Sequence, residues 1–169
     1  MKEIVRFSIV LFSICLVSAA LLALIFDIAE PRIIEQRRLE EERAIGEVLP
    51  QAPEEIEKIQ EGDLVFYKAR DAEGNLIAYV LIAQTYGYAS QIRTIVSLDP
   101  EGNIIAVRVL EHGETPGIGS RITEDDFLNQ FENKDINEQF DTITGATISS
   151  TAVIDSIKEK ALELLSHEQ

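Results

Sequence analysis

Two runs decide how this chain folds. Leu64-Val-Phe-Tyr-Lys-Ala69 leads through Asp71-Ala-Glu-Gly74-Asn75 to a second apolar run, Leu76 to Gln84. Ile92 to Leu98 leads through Asp99-Pro-Glu-Gly102-Asn103 to Ile104 to Glu111. Each run is rich in β-branched and aromatic residues. Each is interrupted once by an Asp-x-Glu-Gly-Asn segment that places a glycine at a tight turn, the pattern of a β-hairpin. The near-identical turns point to a duplicated hairpin, and two copies are too few for a solenoid. Four strands of this kind predict an antiparallel sheet.

Downstream, Asp125 to Gln130 reads as a short helix. Thr151 to Leu165 carries Val153, Ile154, Ile157, Ala161, Leu164 and Leu165 at helical spacing, with Lys158, Glu159 and Glu163 opposite. Such a helix covers one face of a sheet, so the fold class is α+β.

Upstream, Phe7 to Phe26 is an uncharged run of Ile, Leu, Val, Ala and Phe. About 20 residues at ~1.5 Å each match a hydrocarbon core of ~30 Å. The run continues past Ser18-Ala19-Ala20 and is longer than a signal-peptide core of ~7–15 residues, so a retained single-pass anchor is expected. Ile28 to Leu49 then reads as a charged helix with an imperfect apolar stripe: a stalk, or a docking helix for a partner subunit. Pro50 and Pro53 end it, and Glu54 to Glu61 reads as a short acidic segment. The expected organisation is an anchor over residues 1–27, a charged helical stalk over 28–53 and a globular domain over 54–169.

The 169-residue chain carries 15 Lys and Arg against 30 Asp and Glu, a formal net charge of −15. That charge repels polyanions and excludes a nucleic-acid partner. One cysteine, Cys15, and two histidines, His112 and His167, supply no zinc, haem or iron–sulfur ligand pattern. Redox chemistry on such a chain needs an organic cofactor. No nucleophile–base–orienter pattern for hydrolysis stands out.

Two segments carry chemistry. Asp141-Thr-Ile-Thr-Gly-Ala-Thr147-Ile-Ser-Ser150 sets small and hydroxyl residues where a helix begins. Helix starts offer unpaired N–H groups and the positive end of a dipole, so they favour a phosphate. A threonine there is also what an ordinary N-cap requires. Glu111-His-Gly-Glu-Thr-Pro-Gly-Ile-Gly119 gives a loop of exposed amides and little bulk, suited to a flat ring or to a plain surface turn. No Gly-Lys-Ser/Thr ending marks it as a phosphate loop. His112 inside it reads either as a proton-shuttling group or as a hydrogen-bonded structural residue.

Together, behind one N-terminal span, these segments resemble the G subunit of the Rnf electron-transport complex. They also resemble the related C subunit of the sodium-pumping NADH:quinone reductase. The resemblance implies a domain carrying FMN through a threonine phosphoester. Thr147 matches the acceptor, Asp141 the acidic residue that opens the modification signal, and Thr144, Gly145 and Ala146 the residues leading to the acceptor. Ile148 follows it. Glu114, Thr115, Pro116, Gly117, Ile118 and Gly119 match a loop lying against the flavin ring. Tyr88, in Tyr86-Gly-Tyr-Ala-Ser90, matches a stretch bordering the flavin, with Ala89 and Ser90 where the family has glycines.

The resemblance further implies partners: other subunits of a membrane redox complex, a flavin transferase during maturation, and membrane lipid. It implies the cytoplasmic membrane as location, with the C-terminal domain extracytoplasmic. A literal count of Arg32, Arg37, Arg38 and Arg43 after the span against Lys2 and Arg6 before it leans the other way. The implied role is an electron-relay subunit of an ion-translocating ferredoxin:NAD oxidoreductase without its own substrate turnover. The rivals are a C-type quinone-reductase subunit, a stand-alone extracytoplasmic flavin carrier and a non-redox assembly subunit.

Overall fold

The computed structural model describes residues 2–62 and 64–168. The chain divides into two compact units, Met1–Glu40 and Glu41–Gln169. The elements in order are α1 (Lys2–Val48), β1 (Glu55–Glu61), β2 (Leu64–Arg70), β3 (Leu76–Tyr86), β4 (Gln91–Leu98), β5 (Asn103–Glu111), α2 (Asp125–Leu128), β6 (Lys134–Asp135) and α3 (Thr147–Glu168).

From Lys2 on, the first unit is helix. Its apolar side chains, among them Phe7, Leu11, Phe12, Leu22 and Phe26, are exposed on every side. A helix that is apolar all round suits hydrocarbon rather than water. By length and composition it is able to cross a membrane, with a mean hydropathy of 2.9 over its most apolar window. The Ser13 hydroxyl donates to the Ile9 carbonyl at 2.8 Å, which satisfies the polar group within the helix. Pro31 lies inside α1 and removes one backbone donor without ending it.

The second unit is a six-stranded antiparallel meander in the order β1-β2-β3-β4-β5-β6. The expected hairpins form. Tyr67 pairs with Val80 across the first, and Val96 with Val107 across the second. The two turns are built alike. Asp71 Oδ1 accepts from the Asn75 N–H at 2.7 Å, and Asp99 Oδ1 from the Asn103 N–H at 2.8 Å. Gly74 and Gly102 take φ values of 83° and 94°, which a β-carbon disfavours.

Two strands go beyond the expected four. The acidic segment at Glu54 to Glu61 is the edge strand β1, not an irregular stretch. Its apolar residues, Ile56 and Ile59, are an odd number of residues apart and give no period-2 pattern. The exposed charges along it are what a sheet edge facing water requires. β6 is only two residues long, paired to Asn103 and Ile104. The helix expected from Asp125 to Gln130 stops at Leu128 and tightens into a 3₁₀ turn, Asn129–Phe131.

Both faces of the sheet are covered. On one lies α3, with Val153, Ile157, Ala161 and Leu164 packed against Phe66, Leu81, Ile92, Val96 and Leu98. On the other, Ala44, Ile45 and Val48 at the end of α1, with Leu49 just after it, pack against Tyr67, Ala69, Ala78, Val80 and Ile95. The last turns of the charged helix are thus a layer of the domain. Glu41 and Glu47, on its polar side, pair with Arg93 and Arg108 of the sheet. α3 starts at Thr147, four residues before the expected Thr151, because its first turn faces the site and lacks the apolar periodicity that begins at Val153.

Candidate functional site

Three chain segments converge at the start of α3. The first is the tight β3–β4 connection, closed by the Gly87 N–H donating to the Ser90 carbonyl at 2.8 Å. The second is the loop from His112 to Gly119. The third is the turn at Ile143–Ala146, where the Ala146 N–H donates to the Ile143 carbonyl at 2.9 Å. Gly145 holds φ 88° in that turn, a conformation that favours glycine. Ser150 fixes the turn from inside: its hydroxyl accepts from the Ile143 N–H at 3.0 Å and donates to the Ala146 carbonyl at 2.9 Å.

Between them lies a cleft of about 340 Å³ lined by Tyr88, Glu114, Thr115, Ile118, Gly119, Gly145, Ala146, Thr147, Ile148 and Ser149. The two sequence motifs therefore form opposite walls of one site. Tyr88, Ile118 and Ile148 stand exposed at its rim, at 73%, 53% and 59%. Few other large apolar side chains of the second unit are so open to water, so the rim is an apolar collar on an acidic domain.

The residue before α3 is Ala146, which has no side-chain oxygen to cap the helix. Among the described residues, no side-chain hydrogen bond reaches the N–H groups of Thr147, Ile148 or Ser149. An alanine cap costs about 1 kcal/mol relative to serine or threonine. The helix start is thus left open to an anion from outside. Thr147 itself is exposed, and among the described residues no hydrogen bond engages its hydroxyl.

Glu114 is the site's buried charge, 4% exposed. Its Oε1 accepts from the N–H groups of Ala89 and Ser90, both at 3.1 Å, and its Oε2 accepts from the Ser149 hydroxyl at 2.6 Å. Burial raises the pKa of such a carboxyl, but the bonds from Ser149, Ala89, Ser90 and Tyr88 together outweigh it, so the group is held below the ordinary glutamate value and stays ionised.

The remaining predicted residues fall elsewhere. Pro116 and Gly117 form the exposed tip of the loop, where the Gly117 N–H donates to the Ser120 hydroxyl at 2.8 Å. Asp141 and Thr144 line a neighbouring cleft of about 310 Å³ with Arg121, Glu124, Asp126 and Gln130. Gln130 clasps the Asp141 backbone, accepting from its N–H at 2.7 Å and donating to its carbonyl at 3.1 Å. His112 is turned to its own loop, with Nδ1 accepting from the Glu114 N–H at 3.3 Å, which is a structural arrangement. In the sequence Ser149 reads only as one of the hydroxyls at the helix start, without its bond to Glu114, and Gly87 carries no assigned role. Gly87 stood inside the quoted Tyr-Gly-Tyr stretch. Ser149 has no signal of its own, since its partner is 35 residues away.

The residues present fit FMN. The cleft lies in the range of small-molecule sites, ~300–1,000 Å³. Tyr88, Ile118, Ala146 and Ile148 offer apolar surface to a ring, the uncapped start of α3 offers backbone donors suited to a phosphate, and the Thr147 hydroxyl stands on the same cleft. Among the described residues, no group of three or more His, Cys, Asp and Glu is arranged to hold a metal ion.

Residues 87–162 match the FMN-binding domain family, a span that contains all three walls of the cleft. The chain is 30% identical to the G subunit of the ion-translocating oxidoreductase complex of Methanosarcina acetivorans, over 92% of each chain. It is 30% identical to the G subunit of the proton-translocating ferredoxin:NAD(+) oxidoreductase complex of Clostridium ljungdahlii, over 86% of this chain and 83% of that one. The fold is shared with the crystal structure of Shewanella oneidensis NqrC, at a TM-score of 0.53 and 22% identity over 71% of this chain and 72% of that one.

Proposed function

Because this chain belongs to the family of G subunits of ion-translocating oxidoreductase complexes, we propose that it carries FMN on Thr147 and relays electrons within such a complex. It is an electron-transfer subunit with no separate turnover of its own. FMN, when bound, supplies reversible electron uptake, which none of the side chains here provides. The observation that carries this reading is the single cleft between Glu114–Gly119 and Gly145–Ser149, with the Thr147 hydroxyl exposed on its wall beside an uncapped helix start.

The chain's own part in maturation is to present that hydroxyl. The Thr147 oxygen attacks the FMN-side phosphorus of FAD, held by a separate metal-dependent flavin transferase. The Oγ1–P bond forms, the P–O bond to the AMP half breaks, AMP leaves, and the hydroxyl proton is lost to a base. The open N–H groups at the start of α3 would hold the new phosphate. Asp141 and Thr144, on the neighbouring cleft, act as the transferase's recognition signal. A tether keeps the cofactor at the site at an effective concentration of millimolar order without tight binding. The pocket residues are then free to orient it: Tyr88, Ile118 and Ile148 would flank the ring, the Thr115–Gly119 backbone would lie beside it, and Ala146 would leave it room.

The apolar run Phe7–Phe26 of α1 anchors the protein in the membrane as a single span, with the domain outside the cytoplasm and lipid and other subunits as its partners. The test is direct. The full chain, co-expressed with a flavin transferase, is run on a denaturing gel and viewed under ultraviolet light. A fluorescent band, and a peptide containing Thr147 heavier by FMN minus one water, is the expected result. A dark band and an unmodified peptide overturn the reading.

A further inference from the structure

We propose that Glu114 is a positioning residue: its carboxylate braces the β3–β4 connection and the first turn of α3 into one frame that presents Thr147 for modification. This rests on the assignment of Thr147 as the attachment site and deepens it. Nothing in the attachment chemistry needs a second anion beside the phosphate, so an ionised, buried glutamate at this point calls for another role.

The geometry supplies that role. Each carboxylate oxygen is committed to a different wall: Oε1 to the N–H groups of Ala89 and Ser90, Oε2 to the Ser149 hydroxyl. Ser149 is buried at 1% and lies two residues after Thr147 on α3. The backbone is shaped around the same carboxylate. A β-carbon on Gly87 would stand 2.5 Å from Glu114 Oε1, and one on Gly119 would stand 2.7 Å from Oε2. Two glycines on two different segments thus leave room for one side chain. Charge-assisted bonds of this kind are about twice as strong as neutral ones and are directional. Cutting them lets the first turn of α3 shift against the loop walls without unfolding the core, which is held separately by Val153, Ile157 and Leu164.

Glutamine can replace glutamate in this frame. Its oxygen accepts from Ala89 and Ser90 while its amide donates to the Ser149 oxygen, which then acts as acceptor. Alanine cannot. The inference therefore separates geometry from charge.

The experiment follows attachment of FMN to the detergent-solubilised full chain by flavin transferase and FAD, by mass spectrometry of the Thr147 peptide. E114A and S149A are each expected to slow the step by about ten- to a hundredfold, the scale of ångström-level misplacement. The loss is expected in the rate at saturation rather than in the concentration of this chain giving half-maximal rate. E114Q is expected to recover most of the rate. The E114A/S149A double variant is expected to be no slower than the worse single one, because both cut the same link. Circular dichroism checks that each variant stays folded. If one single variant fails to fold, the other carries the comparison with the parent chain, since each cuts the same Glu114–Ser149 link.

E114A and S149A modified as fast as the parent chain overturn the inference. So does an E114Q no better than E114A, which would assign the effect to charge, and so do additive losses in the double variant. Absence of modification in the parent chain itself overturns the Thr147 assignment instead, so the two failures are distinguishable.

Discussion

The Ser97 hydroxyl of β4 donates to the Val48 carbonyl, the last residue of α1, at 2.6 Å and fully buried. A helix end leaves its last carbonyls without partners, and here one of them meets a sheet side chain instead of water. The same hydroxyl accepts from the Ala106 N–H at 3.2 Å, so one serine ties α1, β4 and β5 together. Ser97→Ala leaves a buried carbonyl without its donor and is expected to cost about 1–3 kcal/mol. Urea unfolding of the detergent-solubilised chain reads the loss, and a midpoint equal to the parent's refutes the role.

Thr147→Ala is expected to abolish the FMN adduct and leave stability within about 0.5 kcal/mol, because the side chain is exposed and bonded to nothing among the described residues. Thr144→Ala, whose side chain lines the neighbouring cleft with Arg121 and Asp141, is expected to slow modification without removing its site. Peptide mapping distinguishes the two. An adduct persisting in Thr147→Ala would move the attachment point.

Thr94 lies wholly buried on the α3 face of β4, and its hydroxyl has no partner among the described residues. A buried hydroxyl without a hydrogen bond is destabilising by about 1–3 kcal/mol. Thr94→Val keeps the shape and removes the orphan, so a gain of about 1 kcal/mol is expected in thermal or urea unfolding. A loss would mean that the hydroxyl has a partner after all.

The hairpins were legible because their turns use local chemistry: Asp71 and Asp99 bond residues four positions on, and Gly74 and Gly102 supply the required backbone. The cleft's two walls were legible as motifs, since Thr147 and the Glu114–Gly119 loop stand out by residue type. What the residues hid was long-range. Glu114 reads as one more loop acid until Ser149 is brought to it from α3. β1 reads as a charged linker because an edge strand has little apolar pattern to show. The end of α1 reads as a solvated stalk because the stripe Ala44, Ile45, Val48 is short and flanked by Glu41 and Glu47, whose arginine partners lie on distant strands.

Glu114 makes a signed prediction about acid. Burial pushes its folded pKa up, but the Ser149, Ala89 and Ser90 bonds to the ionised form outweigh burial and hold it below the ordinary 4.5. The unfolded state therefore binds the proton more readily, and stability rises with pH through this window. The contribution is fully present above about pH 4.5 and is lost as pH falls through the folded value. Urea unfolding of the parent chain and E114Q at a series of pH values is expected to show a constant gap above that point and a shrinking gap below it. A gap independent of pH would show that the carboxylate is not held ionised in the fold.

Glycines around the cleft separate close approach from backbone strain. Gly119 is buried, and a β-carbon there would lie 2.7 Å from Glu114 Oε2, 2.9 Å from Glu114 Cβ and 3.3 Å from the Ser149 oxygen. Glu114 Cβ is fixed to the main chain and cannot swing aside, so Gly119→Ala overpacks the brace and is expected to cost about 1–3 kcal/mol. Gly117 has φ 72° and open space around it, so Gly117→Ala costs only the left-handed conformation, about 1–2 kcal/mol. The two variants can therefore lose similar stability while differing at the site. Gly119→Ala is expected to slow FMN attachment at Thr147 as E114A does, because it displaces the same carboxylate, whereas Gly117→Ala, at the exposed loop tip, is expected to be modified at close to the parent rate. Equal attachment rates in both would mean that displacing Glu114 leaves the presentation of Thr147 untouched.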